Sequence, residues 1–328
     1  MLRRIRNTNG GRPLMLSRTE KGVDMSSPFR PLAIVVCLCL ALLLPRTIAH
    51  AQGTQVFIDN GTWRVLSAPF WGGAITGIEP SGGGTDFIDN GLPDTGRSLQ
   101  VSLYQSGQTY SDGWPCDGGT WGWNPVQAGT MSSGSCTTSG ATVSSGSNSG
   151  GHLTSTVQAK HWNPNLGTSN VVISQDAYFV SGYSNVIRID YFVTNNESFT
   201  VSAAHEAPVM YVSTGVVSTK VTYDGGSPWS NDSVSVVGDG VTSSSEPWIA
   251  ATATNPNSSP STTGIALYVP DHDGSNNFFN FASVQNAIAV QGWRNMSIGP
   301  SSSVGWTVYV VVGSFSAIRS SIYSLAGH

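Results

Sequence analysis

Histidine and glutamate stand side by side at positions 205 and 206, in the run "VSAAHEAPVMYV". An imidazole changes charge near neutral pH and a carboxyl can give or take a proton, so the two together are the material of an acid–base site. In a regular strand Phe199, Val201, Ala203 and His205 share one face and Glu206 takes the other. The pair serves one site only at a bulge or strand end, which Pro208 makes available. His205 reads equally as a hydrogen-bonded residue on an apolar strand face, and both readings stand. Past residue 51 glutamate occurs at 79, 197, 206 and 246. Glu197 sits in a turn, so Glu206 and Glu246 are the carboxyls expected to do acid or base work.

Groups suited to holding a ligand lie elsewhere. The segment "DTGRSLQVSLYQ" brings Arg97, Gln100 and Tyr104 together near one strand start, either as a salt bridge between Asp94 and Arg97 or as a clamp for substrate. Trp114, Trp121, Trp123 and Asn124 fall in a Gly/Ser-rich stretch without strand patterning. Aromatic rings pack against the C–H faces of sugars while amides and carboxylates bind hydroxyls, so these residues point to a glycan. Trp63, Trp229, Trp293 and Trp306 read instead as core or loop packing. "PDHDGSNN", residues 270–277, alternates Asp and Asn but lacks the spacing and closing Glu of a calcium loop, and reads as a turn. No metal and no cofactor are expected.

The rest of the chain says where such a site would sit. "PLAIVVCLCLALLL" is an apolar run of 14 residues, short for a membrane span, and Ala49 and Ala51 form an A-x-A cleavage signature. The expectation is a signal peptide and leader over residues 1–51 and a secreted chain, extracellular or periplasmic, from Gln52. Eight of the 15 Lys and Arg precede Gln52 but only two of the 19 Asp and Glu do, leaving seven basic against 17 acidic groups. So few cations make no footprint for phosphates, which excludes nucleic acid as a partner. With the signal removed no membrane segment is expected, and the expected state is a monomer. Cys116 and Cys136 are the two cysteines beyond the leader. In an oxidising compartment they read as a disulfide, contributing about 3 kcal/mol.

Strand patterns recur at 62–68, 99–105, 153–159, 171–180, 186–194, 220–223, 264–270 and 306–313, bounded by Gly, Asn, Ser or Asp. In "VIRIDYFVT" Ile187, Ile189, Tyr191 and Val193 share a face and Arg188 and Asp190 the other, the period of a strand over a core. Helical spacing appears once, at Ile318, Ile322 and Leu325. Charged residues are 10% of the chain and no charged linker divides it. The expected fold is all-β: one large antiparallel β-sandwich over 52–328, with a short C-terminal helical turn and a disulfide-stapled, Trp-rich loop at about 106–152.

The order "GGAITGI", "DTGRSLQVSLY" and "YFVTNNESFTVSAAHEAPVMYV" resembles the galactose-mutarotase-like β-supersandwich over about half of residues 52–328. The resemblance implies a His, here His205, acting as general acid on the sugar ring oxygen. It also implies a late Glu that takes the proton of the anomeric hydroxyl. That Glu falls on Gln291 in "AVQGWRN", and an amide is no base at neutral pH. The family's Asn-Arg pair falls on Gln100 and Val101. The expectation is therefore a carbohydrate-active enzyme on a polysaccharide or oligosaccharide, hydrolase or lyase ahead of mutarotase. His205 would work with Glu206 or Glu246, with Arg97, Gln100, Tyr104 and Gln291 on the sugar. The alternative is a β-sandwich that binds glycans without catalysis.

The leader and the disulfide are tested together by intact mass of the exported protein. The expected species begins at Gln52 and weighs two hydrogens less than the reduced chain; two thiols alkylated without reductant would overturn the crosslink.

Overall fold

The computed structural model describes residues 55–88, 97–107, 109–110, 121–130, 139–141, 143–163, 166–223, 227–273 and 277–328. The leader, Asp94, Trp114, Cys116 and Cys136 lie outside the described residues, and of Trp121 only the backbone is described. The strands that matter below are β1 (Trp63–Ser67), β2 (Ile75–Pro80), β3 (Leu99–Ser102), β4 (His152–His161), β5 (Thr168–Phe179), β6 (Val186–Asn195) and β7 (Val201–Ser213). They continue as β8 (Thr219–Thr222), β9 (Trp248–Thr252), β10 (Thr263–Tyr268), β11 (Asn277–Val284), β12 (Ala287–Ile298) and β13 (Ser302–Ser314), followed by helix α1 (Phe315–Ala326).

Among the described residues pairing is antiparallel and runs mainly through one continuous 18-stranded sheet folded into two layers, with two separate two-stranded pairs beside it. The front layer has the order β1-β2-β3-β7-β12-β11, and the back layer β4-β5-β6-β13-β10-β9-β8. The two-residue strand Pro125–Val126 joins the layers, since Val126 pairs with Ser102 of β3 and with Lys160 of β4. The fold class read from the sequence is the one observed, a large antiparallel sandwich.

Alternation supplies the core. Leu99 and Val101 of β3, Met210 and Val212 of β7 and Ile288 and Val290 of β12 face Ile173, Ile187, Ile189, Val308 and Val310 from the back layer, all fully or nearly fully buried. Each such side chain contributes about 1.5–3 kcal/mol relative to exposure. Gly72 and Gly73 show why a close approach selects glycine. Both have positive φ, and an added Cβ would stand 2.0 Å from the Gln127 carbonyl oxygen at Gly72 and 2.2 Å from Ser155 Cβ at Gly73.

Helix α1 is longer than the single turn expected. Twelve residues form it, capped by Ser314 Oγ, which accepts the Ala317 N–H at 3.3 Å, and closed by Gly327 at φ 82°. Ile318 and Ile322 do bury, with Phe315 and Tyr323, against Trp248, Ala250, Ala266 and Val311 on the outside of the back layer. The serines that fill the rest of the helix hid its length. The stretch around 106–152 is described in part. Besides Pro125–Val126, its described parts include Val143–Ser147, which pairs with β4, and the paired segments Gly129–Thr130 and Ser139–Gly140. Two-residue bridges leave no hydrophobic period to read.

Candidate functional site

Register across the front layer decides which side chains meet. Glu206 of β7 lies opposite Ser102 of β3 and Trp293 of β12, while Gln291 lies opposite Val209 of β7 and Asn280 of β11. Strand β7 stays regular through Glu206, and its register shifts only between Glu206 and Val209, where Pro208 stands. His205 therefore points inward and Glu206 points to the outer face.

On that outer face a hydrogen-bonded polar row crosses the strands. Gln291 Nε2 donates to Glu206 Oε1, while Gln291 Oε1 accepts from Asn280 Nδ2 and, at 3.2 Å, from Trp293 Nε1. Two donors on one oxygen fix which way the Gln291 amide faces. Ser102 Oγ donates to Asn124 Oδ1 at 2.9 Å and lies 3.4 Å from the Tyr104 hydroxyl. Beside this row is a shelf of rings: Tyr104 stacks on Trp293 at 5.6 Å between centroids, and Phe278 stacks on Trp293 at 5.8 Å.

Part of the row lines a cavity of about 260 Å³. Gln100, Ser102, Tyr104 and Asn124 meet Trp162, Glu206, Tyr211 and Gln291 there, with small apolar side chains such as Ala282 and Ala289 at one wall. Burial pushes the Glu206 carboxyl up to about 7, against hydrogen bonds from Tyr104, Ser102 and Gln291 that favour the charged form. Burial likewise raises the phenol of Tyr104 well above its ordinary range, and the charge of Glu206 adds to it. The result is one carboxyl poised to hold or release a proton near neutrality, ringed by groups that bind hydroxyls.

Five residues singled out in the sequence thus converge: Gln100, Tyr104, Asn124, Glu206 and Gln291. Others do not. His205 is fully buried on the core side, where its Nδ1 accepts the Tyr104 backbone N–H at 3.0 Å. Burial pushes its imidazole down to about 4, with the Met296 backbone opposing. The expected solvent-reachable cleft at His205 is replaced by a packing position, because no bulge intervenes before Glu206. Glu246 is buried far along the chain's other core cluster, accepting from the Trp229 N–H, Trp248 Nε1 and the Tyr323 hydroxyl, and it does not line the cavity. Arg97 donates to the Val284 carbonyl at 3.3 Å and to Gln285 Oε1 at 2.9 Å, which anchors the β11–β12 turn. Trp123 is a core residue rather than a platform, edge-on to His161 and Phe199. In the Asp/Asn turn Asp271 is forked by Arg294, and Asp273 accepts the Asn277 N–H at 3.0 Å.

Ser102, Trp162, Tyr211, Asn280 and Trp293 belong to the site and were not read as such. The period of two would have found several: Ser102 stands two residues from both Gln100 and Tyr104, and Trp293 two from Gln291.

No protein-family model matches the sequence, and no curated protein is similar to it. Solved structures are. A galactose mutarotase-like protein from Lactobacillus casei is 12% identical with a TM-score of 0.48, over 79% of this chain and 100% of that one. A galactose mutarotase related enzyme from Lactobacillus acidophilus is 10% identical with the same TM-score, over 80% of this chain and 98% of that one. At identities and TM-scores this low no activity carries over from them.

Glu206 and His205 leave opposite signatures in stability. Glu206 titrates at about 7 folded against 4.5 in its ordinary state, so the unfolded chain loses its proton first and stability falls as pH rises from about 4.5 to 7. His205 titrates at about 4 against 6.5, so the unfolded chain gains its proton first and stability falls as pH drops from about 6.5 to 4. Each effect is worth about 3 kcal/mol, and the two nearly cancel between pH 4.5 and 6.5. Urea unfolding across pH 4–8 separates them. Relative to the wild type, Glu206→Gln gains about 3 kcal/mol on going from pH 4 to 8, and His205→Ala loses about 3 over the same range. A difference curve flat in pH for either variant would overturn that assignment.

Proposed function

We propose that the cavity binds one ring of a neutral sugar and that Glu206 moves a proton at its anomeric hydroxyl. The observation that carries this reading is a buried carboxyl held at about 7 inside a space lined by amides, hydroxyls and aromatic rings. Among the described residues, those lining the cavity include no Lys, Arg or His. A uronate brought there would place its charge beside Glu206, and the adjoining Arg97 is held by the Val284 carbonyl and Gln285, so a neutral sugar fits better. Hydrolysis by two carboxyls finds little support, since Glu246 faces another part of the fold. Glu206 would take the anomeric proton as the bond from the anomeric carbon to the ring oxygen opens, water would protonate the ring oxygen, and closure reverses both transfers; the Tyr104 hydroxyl steadies the carboxylate and Gln291 holds its other side. Read with the amino-terminal segment, the protein we propose is an exported, carbohydrate-active one.

A second reading, a glycan-binding site without turnover, draws on one observation. The group facing Glu206 is the amide of Gln291, which cannot complete an acid–base pair.

Tryptophan fluorescence with neutral monosaccharides and their uronic acids measures binding, and polarimetry on freshly dissolved anomers measures turnover. Expected are saturable binding of a neutral sugar, weak or no binding of the uronate, and anomer exchange that rises with pH through about 7. Glu206→Gln should lower the rate by about 10²–10⁴ while leaving affinity within a few-fold. Binding without any rate above buffer would select the second reading. Absence of binding by every neutral sugar would overturn both.

A further inference from the structure

Helix α1 covers the back layer's outer face over Trp248, Ala250, Ala266, Val186 and Val311; among the described residues, the outer face over β4, β5 and the parts of β6 and β13 beyond them is not covered by it. Register lines up five planar side chains in one row across this layer: His152 pairs with Tyr178, Tyr178 with Arg188, Arg188 with Tyr309 and Tyr309 with Tyr268. His152 lies on the Tyr178 ring at 4.4 Å, the Arg188 guanidinium over the same ring at 5.8 Å, and Tyr268 stacks on Tyr309 at 5.6 Å. The next row is polar, Thr154, Asp176, Asp190 and Thr307. Beyond it the Phe192 ring stands 51% exposed, opposite Ser174.

Between the ring row and Phe192 is a shallow depression of about 340 Å³, lined by Thr154, Thr156, Ser174, Asp176, Asp190 and Phe192. Its carboxylates are held in place rather than free to swing. His152 binds Asp176 at 2.9 Å, and Asp190 accepts from Arg188 at 3.0 Å and from Thr307. They remain open to solvent, with side-chain exposures of 38% for Asp176 and 34% for Asp190. Tyr178 and Phe192 are offset by four residues along paired strands, roughly 13 Å.

We propose that this face is a second carbohydrate-binding surface, which takes a neutral glycan chain laid along the strands, one sugar on Tyr178 and another on Phe192. Phe192 and the outward edge of Tyr178, whose ring His152 and Arg188 flank, supply apolar surface for sugar C–H groups, and the fixed carboxylates accept hydroxyls from the sugars between them. Two carboxylates against one guanidinium disfavour an acidic glycan. A protein partner fits poorly, because the centre of a protein interface is depleted in charge and here the charges occupy the centre. The surface lies on the layer opposite the Glu206 cavity, so it can be tested apart from it.

Gel affinity electrophoresis in soluble galactan, mannan or β-glucan, with polygalacturonate as the acidic control, provides the test. Expected is retardation of the full chain by at least one neutral polymer, weakened roughly tenfold by Phe192→Ala and by Tyr178→Ala. Phe57→Ala, a comparably exposed ring elsewhere, should leave it unchanged, whereas Gln291→Ala reports the share that the cavity takes in the retardation. Thermal melts check that the exposed-ring variants fold. No retardation by any neutral polymer, retardation untouched by both ring variants, or loss confined to Gln291→Ala would each overturn the proposal. So would a dimer by size exclusion that Phe192→Ala dissolves without any glycan effect.

Discussion

Everything at the Glu206 site depends on the two-residue period of β7 holding through position 206. A strand sends neighbouring side chains to opposite faces, so two adjacent titratable residues are separated by the sheet itself. His205 goes into the core and Glu206 into the outer cavity. Had the register shift at Pro208 come two residues earlier, the pair would share a face; coming between Glu206 and Val209, it leaves them apart.

The same placement gives the two residues opposite proton affinities from one cause. Burial penalises charge whichever sign it has, so it raises a carboxyl and lowers an imidazole. Their neighbours differ. His205 spends Nδ1 on a backbone amide, which fixes the ring but gives it no route to a ligand. Glu206 is held by side chains that themselves line the cavity, so its environment changes when something binds. Burying a carboxyl is costly to stability when it is charged, and the amide row from Asn280 through Gln291 offsets part of that cost by orienting a donor at it.

The two layers present two kinds of surface built on one rule. On the front layer a ring shelf of Tyr104, Trp293 and Phe278 lies beside a polar row that closes over a cavity. On the back layer a row of rings lies beside a polar row that stays open and shallow. In both, antiparallel register puts like with like across the strands, and the difference is how deeply the neighbours enclose the row.

The sequence by itself determined the all-β class, the inward faces of strands such as β6, and much of the polar lining, because strand burial has a period that residue types record directly. Gln100, Tyr104, Asn124, Glu206 and Gln291 were legible as residue types that bind hydroxyls or move a proton. Which of them meet was not. Val126 joining two layers, Trp123 turning into the core, Glu246 serving Trp229, Trp248 and Tyr323, and Trp293 becoming a shelf are consequences of pairings between residues far apart in the chain. Local pattern says which face a side chain takes relative to its own strand. Only the register between strands says what stands opposite it, and a one-residue change in register exchanges every partner.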